Sequence, residues 1–238
     1  METHPTSAMI LAAGLGRRML PLTNNTPKPL LKVGGTPMVE RAIQHLIDAK
    51  ISKIVINTYY LADQFVHYFE GRALPNVKII REPELLDSGG GVANALPFLQ
   101  GPAFLVLNSD IVILSGSKPL AQRLFDAWKP NLMDALLLLQ PITRTVGYKG
   151  PGDFHMTPNG SLLRPSKKYS GSFVFTGIQI LKRELFQQAP TGPFSLNLIY
   201  DAAQERGKLF GLVHDGEWIH VGTPNAIKRA EAHMKRIK

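Results

Sequence analysis

The sequence predicts an α/β protein whose central sheet is doubly wound, with helices on both faces and both parallel and antiparallel strands. Two observations favour this fold. In the first half of the 238-residue chain, apolar runs of strand length alternate with segments of helical periodicity, as in βαβ units. In the second half the alternation is less regular, which predicts antiparallel strands there. The length suits a single domain with a sizeable core.

The elements of the first half follow in order. Apolar runs predict four buried strands, at 8–13, 53–58, 77–81 and 103–110. Apolar residues at helical spacing predict three helices, at 37–50, 61–71 and 92–99. Pro37 is well placed at the start of the first of these helices.

The second half is predicted by the same rules. Helices are expected at 117–128 and 195–206, and an amphipathic helix is expected toward the C-terminus. Strands are expected at 134–142, 172–181 and 208–213, and a hairpin with a Pro-Asn-Gly turn at 152–163. Ser195 has the side chain that an N-cap requires.

Composition excludes several classes of protein. Cysteine is absent, which excludes disulfides and thiolate metal sites. No apolar run approaches the roughly 20 residues of a membrane span, and the polar start of the chain has no signal-peptide pattern. The net charge of +9 is typical of proteins that bind anionic partners. Basic side chains that are only solvated at the surface would give the same net charge. With no nucleic-acid-binding motif present, we expect a cytoplasmic enzyme that binds neither nucleic acid nor membrane.

A glycine-containing loop follows the first predicted strand. Gly14 and Gly16 allow a ligand to approach the backbone closely. Met19 occupies the third-glycine position of a dinucleotide fingerprint, and no Walker motif is present. We expect a long extended loop over 14–35, from which Arg17, Arg18 and Lys28 project toward phosphates.

The stretch LAAGLGRRMLPLTNNTPKPL at 11–30 resembles the signature of the sugar-1-phosphate nucleotidylyltransferases, L-A-A-G-x-G-x-R-(M/L)-x-P-(L)-T-x-x-x-P-K-P-(L/M). The resemblance continues through LLDSGGGVANAL at 85–96, FLVLNSD at 104–110 and WIHVGTPNAI at 218–227. It implies a Rossmann-like fold in one domain over 1–238. A nucleotide-binding half would cover about 8–115 and a sugar-phosphate-binding half about 116–238.

Within that family the chain is most similar to the short enzymes that make UDP-N-acetylmuramate from N-acetylmuramate 1-phosphate and UTP. The shared segments are the GGG of the second loop, AWKP at 127–130 and GDF at 152–154. Alternatives within the family are mannose 1-phosphate with GTP, and glucose 1-phosphate with UTP or dTTP. A phosphocholine cytidylyltransferase is a more distant one. An alternative from another class is a regulator that binds a nucleotide sugar without catalysis.

The resemblance also implies roles for residues of the two loops. Arg18 would hold the β- and γ-phosphates, and Lys28 the α-phosphate in the transition state. The nucleotide would contact the first loop at Leu11, Ala12, Ala13, Gly14 and Gly16, and the second loop at Gly89 and Gly90. Because a phosphate nucleophile is already an anion, alignment and charge neutralisation would suffice for catalysis.

Asp110 matches the family's metal-binding aspartate, and Mg²⁺ prefers carboxylate and phosphate oxygens. A second aspartate is usual in the segment W-x-D-x-G-T, but here His220 stands in its place. Strand alternation puts Trp218 and His220 on one face and Glu217 on the other. We therefore expect Mg²⁺ at Asp110 and His220, with Mn²⁺ possible because imidazole suits it better. Alternatively, His220 donates to a phosphate.

The acceptor sugar phosphate is expected in the second half of the chain. Asn108 could bind a sugar hydroxyl or N-acetyl group, or cap the end of its strand. Asp153 lies in the predicted hairpin, and the cations of RPSKK at 164–168 lie where relatives hold the sugar phosphate. The candidate substrate-binding residues are Asn108, Asp153, Lys167, Lys168 and Asn197. We expect a monomer or a small homo-oligomer.

Overall fold

The computed structural model describes residues 4–72, 74, 76–114, 116–167 and 169–236. Its strands are β1 Ser7–Leu11, β2 Lys32–Val33, β3 Thr36–Pro37, β4 Lys53–Thr58, β5 Val77–Arg81, β6 Ala103–Asn108, β7 Val112–Leu114, β8 Ala135–Pro141, β9 Thr145–Val146, β10 His155–Met156, β11 Leu162–Leu163, β12 Phe173–Lys182, β13 Leu209–Val213 and β14 Glu217–Ile219. Its helices are α1 Met38–Asp48, α2 Ala62–Phe69, α3 Asp87–Ala95, α4 Leu120–Ala127, α5 Leu196–Glu205 and α6 Pro224–Arg236.

The central sheet has seven strands in the order β13-β8-β12-β6-β1-β4-β5. Strand β1 is parallel to both of its neighbours, β4 and β6, and β5 is parallel to β4. The long strand β12 is antiparallel to both β6 and β8, and β13 is parallel to β8. The prediction of a doubly wound mixed sheet is therefore confirmed, and the same sheet includes strands from both halves of the chain.

Helices cover both faces of this sheet. One face packs against α1, α2 and α4, where Ile43, Phe65 and Leu124 are buried. The other face packs against α3 and α5, where Val92 and Ile199 are buried. Burial on both faces explains why the strands read as continuous apolar runs instead of alternating patterns.

A smaller sheet in the order β7-β14-β9 lies beside the central one. Its strand β14 is antiparallel to β7 and parallel to β9. The helix α6 packs against this sheet through Ala230, which joins a small apolar cluster with Ile219 and Val221. This sheet matters for function because His220 follows β14 and Tyr148 lies just after β9.

Most predicted elements form with ends a few residues from the predicted ones, and β4 and β5 agree at both ends. The hairpin at 152–163 forms as β10 and β11, and Ser195 caps α5 by accepting a hydrogen bond from the Asn197 amide at 3.2 Å. Among the helices that the structure describes, none has the length and apolar character needed to cross a bilayer.

Two predictions for the first half were wrong: the start of one helix and the conformation of one loop. Helix α3 begins at Asp87 and not at 92, so the three glycines lie inside its first turns. Glycine has low helix propensity, which hid this start. The stretch 14–35 is not extended, since it forms short 3-10 turns at 17–19, 22–24 and 28–30. Prolines at 21, 27 and 29 fix φ near the value that such turns use.

Candidate active site

The candidate site lies at the carboxyl ends of the parallel strands. Leu11, the last residue of β1, is in register with Asn57 of β4 and with Asn108 of β6. Open α/β sheets bind ligands just beyond these strand ends, because loops diverge there and leave a crevice. The two asparagines therefore flank the start of the glycine-containing loop.

A first cavity of about 430 Å³, here called the loop cavity, opens beyond these strand ends. Seven residues predicted as site residues line it: Leu11, Ala12, Ala13, Gly14, Lys28, Asn108 and Asp110. The second glycine-rich segment reaches the cavity through Leu85, Asp87 and Ser88. The structure therefore brings the first loop, the second segment and the end of β6 around one space.

Two polar residues of the loop cavity were missed in the sequence. Asn57 Oδ1 accepts a hydrogen bond from the Ala12 amide at 2.8 Å, and Asn57 Nδ2 donates to Glu82 Oε1 at 2.6 Å. Burial raises the pKa of the Glu82 carboxyl above its usual value. Both residues stand at or just after the carboxyl end of a parallel strand, and that position was the available signal.

A second cavity of about 230 Å³, here called the β14 cavity, adjoins the first. Arg18, Asp153 and His220 line it, as do the side chains of Tyr148, Phe175 and Trp218. The two cavities share Lys28, Asn108 and Asp110. These three residues therefore stand at the junction of the two spaces, where groups bound in each would meet.

Lys28 is the buried cation of this junction. It is 9% exposed and its ammonium group donates a hydrogen bond to Asp110 Oδ2. Lys28 begins the short turn 28–30, and Pro27 and Pro29 on either side of it are also buried. Arg18 is exposed at the mouth of the β14 cavity. The two cations predicted to bind phosphates thus lie along one path.

A β-bulge in β12 leaves room for the side chain of Asn108. The register of β12 against β8 shifts between Phe175 and Gln179, and Gly177 in this bulge has φ +89°. A Cβ at Gly177 would lie 2.8 Å from Asn108 Nδ2. The bulge and the missing side chain together leave room for the Asn108 amide at the cavity junction.

Asp153 is fixed by the backbone of β12. Its Oδ2 accepts a hydrogen bond from the Phe175 amide at 2.8 Å, and Phe175 lines the same cavity. The second carboxylate oxygen is not engaged by this bond. Asp153 lines the β14 cavity, and its binding of sugar hydroxyls stays a prediction.

His220 lies between aromatic rings and cations. Its ring is 5.7 Å from that of Trp218 and 6.1 Å from that of Tyr148, while Glu217 pairs with His233 elsewhere. Trp218 and His220 thus share a face, as predicted. Burial, together with the charges of Arg18, Lys28 and Arg229, lowers the pKa of His220 below its ordinary value, and Asp110 opposes this. The lowered pKa favours the neutral imidazole.

A divalent cation would have few protein ligands here. Among the described residues, no group of three or more His, Asp or Glu is placed to hold a metal ion. The carboxylate at the cavity junction is Asp110, which is paired with Lys28. Mg²⁺ is often bound through one or two carboxylates and the phosphates of a substrate. The donor set fits Mg²⁺ in that mode, with Asp110 as the protein ligand.

Several predicted site residues lie outside both cavities. Gly89 and Gly90 are buried, and both amides donate to the Phe194 carbonyl, at 2.8 and 3.0 Å. A Cβ at Gly89 would lie 2.4 Å from the Phe194 ring, so this glycine allows the segment of Phe194 to pack closely against α3. Gly16 accepts a hydrogen bond from the Thr23 hydroxyl at 2.9 Å and holds the turn beneath Lys28.

The basic segment 164–168, predicted to bind the acceptor, contributes no described residue to the lining of either cavity. Lys167 is exposed and lines neither cavity, and Lys168 lies outside the described residues. Asn197 Oδ1 accepts a hydrogen bond from Arg164 Nη2 at 2.9 Å, and Arg164 Nε donates to Asp201 at 2.9 Å. Asn197 therefore holds an arginine in place instead of facing a cavity.

Known proteins resemble this chain along nearly its whole length. The model of the nucleotidyl transferase family matches residues 7–148. The N-acetylmuramate α-1-phosphate uridylyltransferase of Caulobacter vibrioides is 33% identical, over 98% of this chain and 99% of that protein. The enzyme of the same name from Neisseria meningitidis is 34% identical, over 94% and 96%.

A solved structure extends the likeness to the fold. HddC from Yersinia pseudotuberculosis, complexed with GMP-PN, superposes with a TM-score of 0.75 over 96% of this chain and 99% of that one. Its sequence identity is 21%, so this likeness concerns the fold alone.

Proposed function

This chain belongs to the nucleotidyl transferase family, and we propose that it joins N-acetylmuramate 1-phosphate to UTP, forming UDP-N-acetylmuramate and pyrophosphate. The two uridylyltransferases that it resembles over nearly its full length support this choice of substrates. The observation that carries the reaction type is the junction of two cavities at Lys28, Asn108 and Asp110.

The two cavities suit the two substrates. The loop cavity, with the backbone of Ala13 and Gly14 and the buried pair Asn57–Glu82, takes the nucleoside of UTP. The β14 cavity, with Asp153 and Asn108 as polar groups, takes the acceptor sugar. With this assignment, the α-phosphate of UTP and the phosphate of the acceptor meet at Lys28.

In the proposed reaction, an oxygen of the acceptor phosphate attacks the α-phosphorus of UTP. The bond from that phosphorus to the β-phosphate oxygen breaks, and its electron pair leaves with pyrophosphate. No proton needs to be removed from the nucleophile, so the protein's contribution is alignment and neutralisation of charge. Lys28 neutralises charge at the α-phosphate, and Arg18 holds the leaving pyrophosphate.

Mg²⁺ is proposed to bind at Asp110 together with phosphate oxygens. When bound, it would neutralise the phosphates and hold them in a fixed geometry. Lys28, which donates to Asp110 in the structure, would then be free to contact the α-phosphate.

The test is a panel of pyrophosphate-release assays. UTP, GTP, CTP and dTTP are each combined with N-acetylmuramate 1-phosphate, mannose 1-phosphate and glucose 1-phosphate. We expect the highest kcat/KM for UTP with N-acetylmuramate 1-phosphate. A clear preference for GTP with mannose 1-phosphate would replace the proposed substrates, and binding without turnover would indicate a regulator.

A further inference from the structure

The ring of His220 has polar atoms that the protein leaves unused. Neither ring nitrogen has a hydrogen-bond partner among the residues that the structure describes, although the ring is half-buried. Its backbone is fixed, because its amide donates to the Val146 carbonyl at 2.9 Å. A polar group held in place without a partner in a cavity is suited to a ligand.

Gly222 leaves room for this ring. Nε2 of His220 lies 2.5 Å from the position that a Cβ would take at Gly222, so any side chain there would displace the ring tip. Trp218 and Tyr148 contact the other sides of the ring. His220 and Gly222 both line the β14 cavity. The packing therefore fixes the orientation of the ring at the wall of the β14 cavity.

The charges around His220 favour an anion over a cation. Arg18, Lys28 and Arg229 are close enough to act on the ring electrostatically, and the opposing acid there is Asp110, which Lys28 already pairs with. A phosphate next to the imidazole would be attracted by these three cations. Mg²⁺ also favours oxygen ligands over imidazole nitrogen.

We propose that His220 donates a hydrogen bond to the phosphate group of the acceptor sugar phosphate and is not a metal ligand. This inference rests on the proposed function, which puts the acceptor in the β14 cavity. In this assignment, Asp110 is the protein's single metal ligand, and His220 helps to orient the phosphate that carries the attacking oxygen. A carboxylate at residue 220 would instead repel that phosphate.

Three variants test the role of the ring nitrogen. His220→Phe keeps the packing against Trp218 and Tyr148 but removes the donor, His220→Gln keeps a neutral donor, and His220→Asp introduces an anion. Binding of N-acetylmuramate 1-phosphate is measured by calorimetry on each full-length protein, with thermal unfolding as the folding control. A hydrogen bond to a charged group predicts a loss of about tenfold to a hundredfold for Phe and Asp, and a smaller loss for Gln.

Metal binding is measured separately, by electron paramagnetic resonance of Mn²⁺ with a UTP analogue that has a methylene bridge between its α- and β-phosphates. We expect equal Mn²⁺ affinity in wild type, His220→Phe and His220→Gln. A tenfold or greater loss of Mn²⁺ affinity in His220→Phe would overturn the proposal. Unchanged sugar-phosphate affinity in all three folded variants would overturn it as well.

Turnover of the wild type is assayed in parallel to separate the two claims. An active wild type whose variants bind the sugar phosphate equally well would overturn the role of His220 alone. An inactive wild type that binds the sugar phosphate would overturn the proposed reaction, while the binding comparison would still decide the role of His220. A wild type that neither turns over nor binds this ligand would overturn both.

Discussion

Lys28 and Asp110, which are 82 residues apart in the sequence, form an ion pair at the point where the two cavities of the site meet. The lysine side chain is 11% exposed and the aspartate side chain 34%. Each group therefore satisfies the charge of the other. When substrates bind, a phosphate would pair with Lys28 and a divalent cation would pair with Asp110.

Lys28→Ala is expected to remove turnover. A cation aimed at the transition-state charge commonly contributes about 10²–10³ in rate, so kcat/KM in the pyrophosphate-release assay should fall by that factor. Because Asp110 is partly exposed, water can solvate the carboxylate that loses its partner, and unfolding free energy should fall by at most about 2 kcal/mol. Thermal unfolding measures this second effect.

The control for Lys28 is Arg17→Ala. Arg17 is exposed in the same loop and lines neither cavity. The sequence predicted a phosphate contact for Arg17, but its position outside both cavities favours a change in kcat/KM of less than about threefold on its removal. A folded Lys28→Ala protein with the activity of Arg17→Ala would contradict the assignment of Lys28.

Asp110→Asn is expected to weaken metal binding and not only activity. If Asp110 is the protein ligand of the cation, its loss should raise the Kd of Mn²⁺ for the complex with the UTP analogue by about tenfold or more. Electron paramagnetic resonance measures free and bound Mn²⁺ directly. Asp87→Asn is the matched control, because Asp87 also lines the loop cavity and asparagine tolerates its φ of 58°. Equal Mn²⁺ affinity in both variants would remove Asp110 from the metal site.

The sequence predicted the parts of the site that depend on a strand end or on a continuous motif. The segment from Leu11 to Lys28 and Asp110 were identified by their match to the family's motif, and Gly14 and Asp110 also lie just beyond buried apolar strands. The carboxyl ends of parallel strands meet at one sheet edge, so their convergence follows from topology alone.

The sequence could not predict which polar groups would find partners within the protein through tertiary packing. Gly89 and Gly90 read as a ligand-binding loop, but they pack against Phe194, whose approach depends on a segment a hundred residues later. Lys28 reads as an exposed loop cation, but its pairing with Asp110 buries it. Tyr148 gave no signal of its own, because its place beside His220 is set by the pairing of β9 with β14.

Stability should depend on pH through His214. This ring is fully buried, its Nε2 donates to the Leu114 carbonyl at 3.0 Å, and Nδ1 has no partner among the described residues. Burial, with a contribution from Arg123 and against that of Asp215, lowers the pKa of His214. Protonation would put a charge and an unpaired donor into the core.

The sign follows from proton linkage. Between the lowered folded pKa and the unfolded value of about 6.5, the unfolded chain binds more protons, so unfolding free energy falls as pH drops below about 6.5. Above that pH both states are neutral and the effect vanishes. Urea titrations at pH 7 and pH 5 should show a smaller loss in His214→Gln than in wild type. His67→Gln, at an exposed position of α2, controls for the loss of a histidine, and an equal loss in all three proteins would refute the prediction.

Gly177→Ala should damage acceptor binding through Asn108. Two costs arise, because φ of +89° is unfavourable for alanine and the new Cβ would lie 2.8 Å from Asn108 Nδ2. Gly35→Ala isolates the first cost, since Gly35 has φ +83° and nothing within 4 Å of its Cβ position. Both variants should lose about 1–2 kcal/mol of unfolding free energy from backbone strain. Only Gly177→Ala should raise the KM for N-acetylmuramate 1-phosphate, by about tenfold, because the Asn108 amide must leave the cavity junction. If the two variants had the same KM as wild type, Asn108 would have no role in acceptor binding, and the bulge in β12 would serve the fold alone.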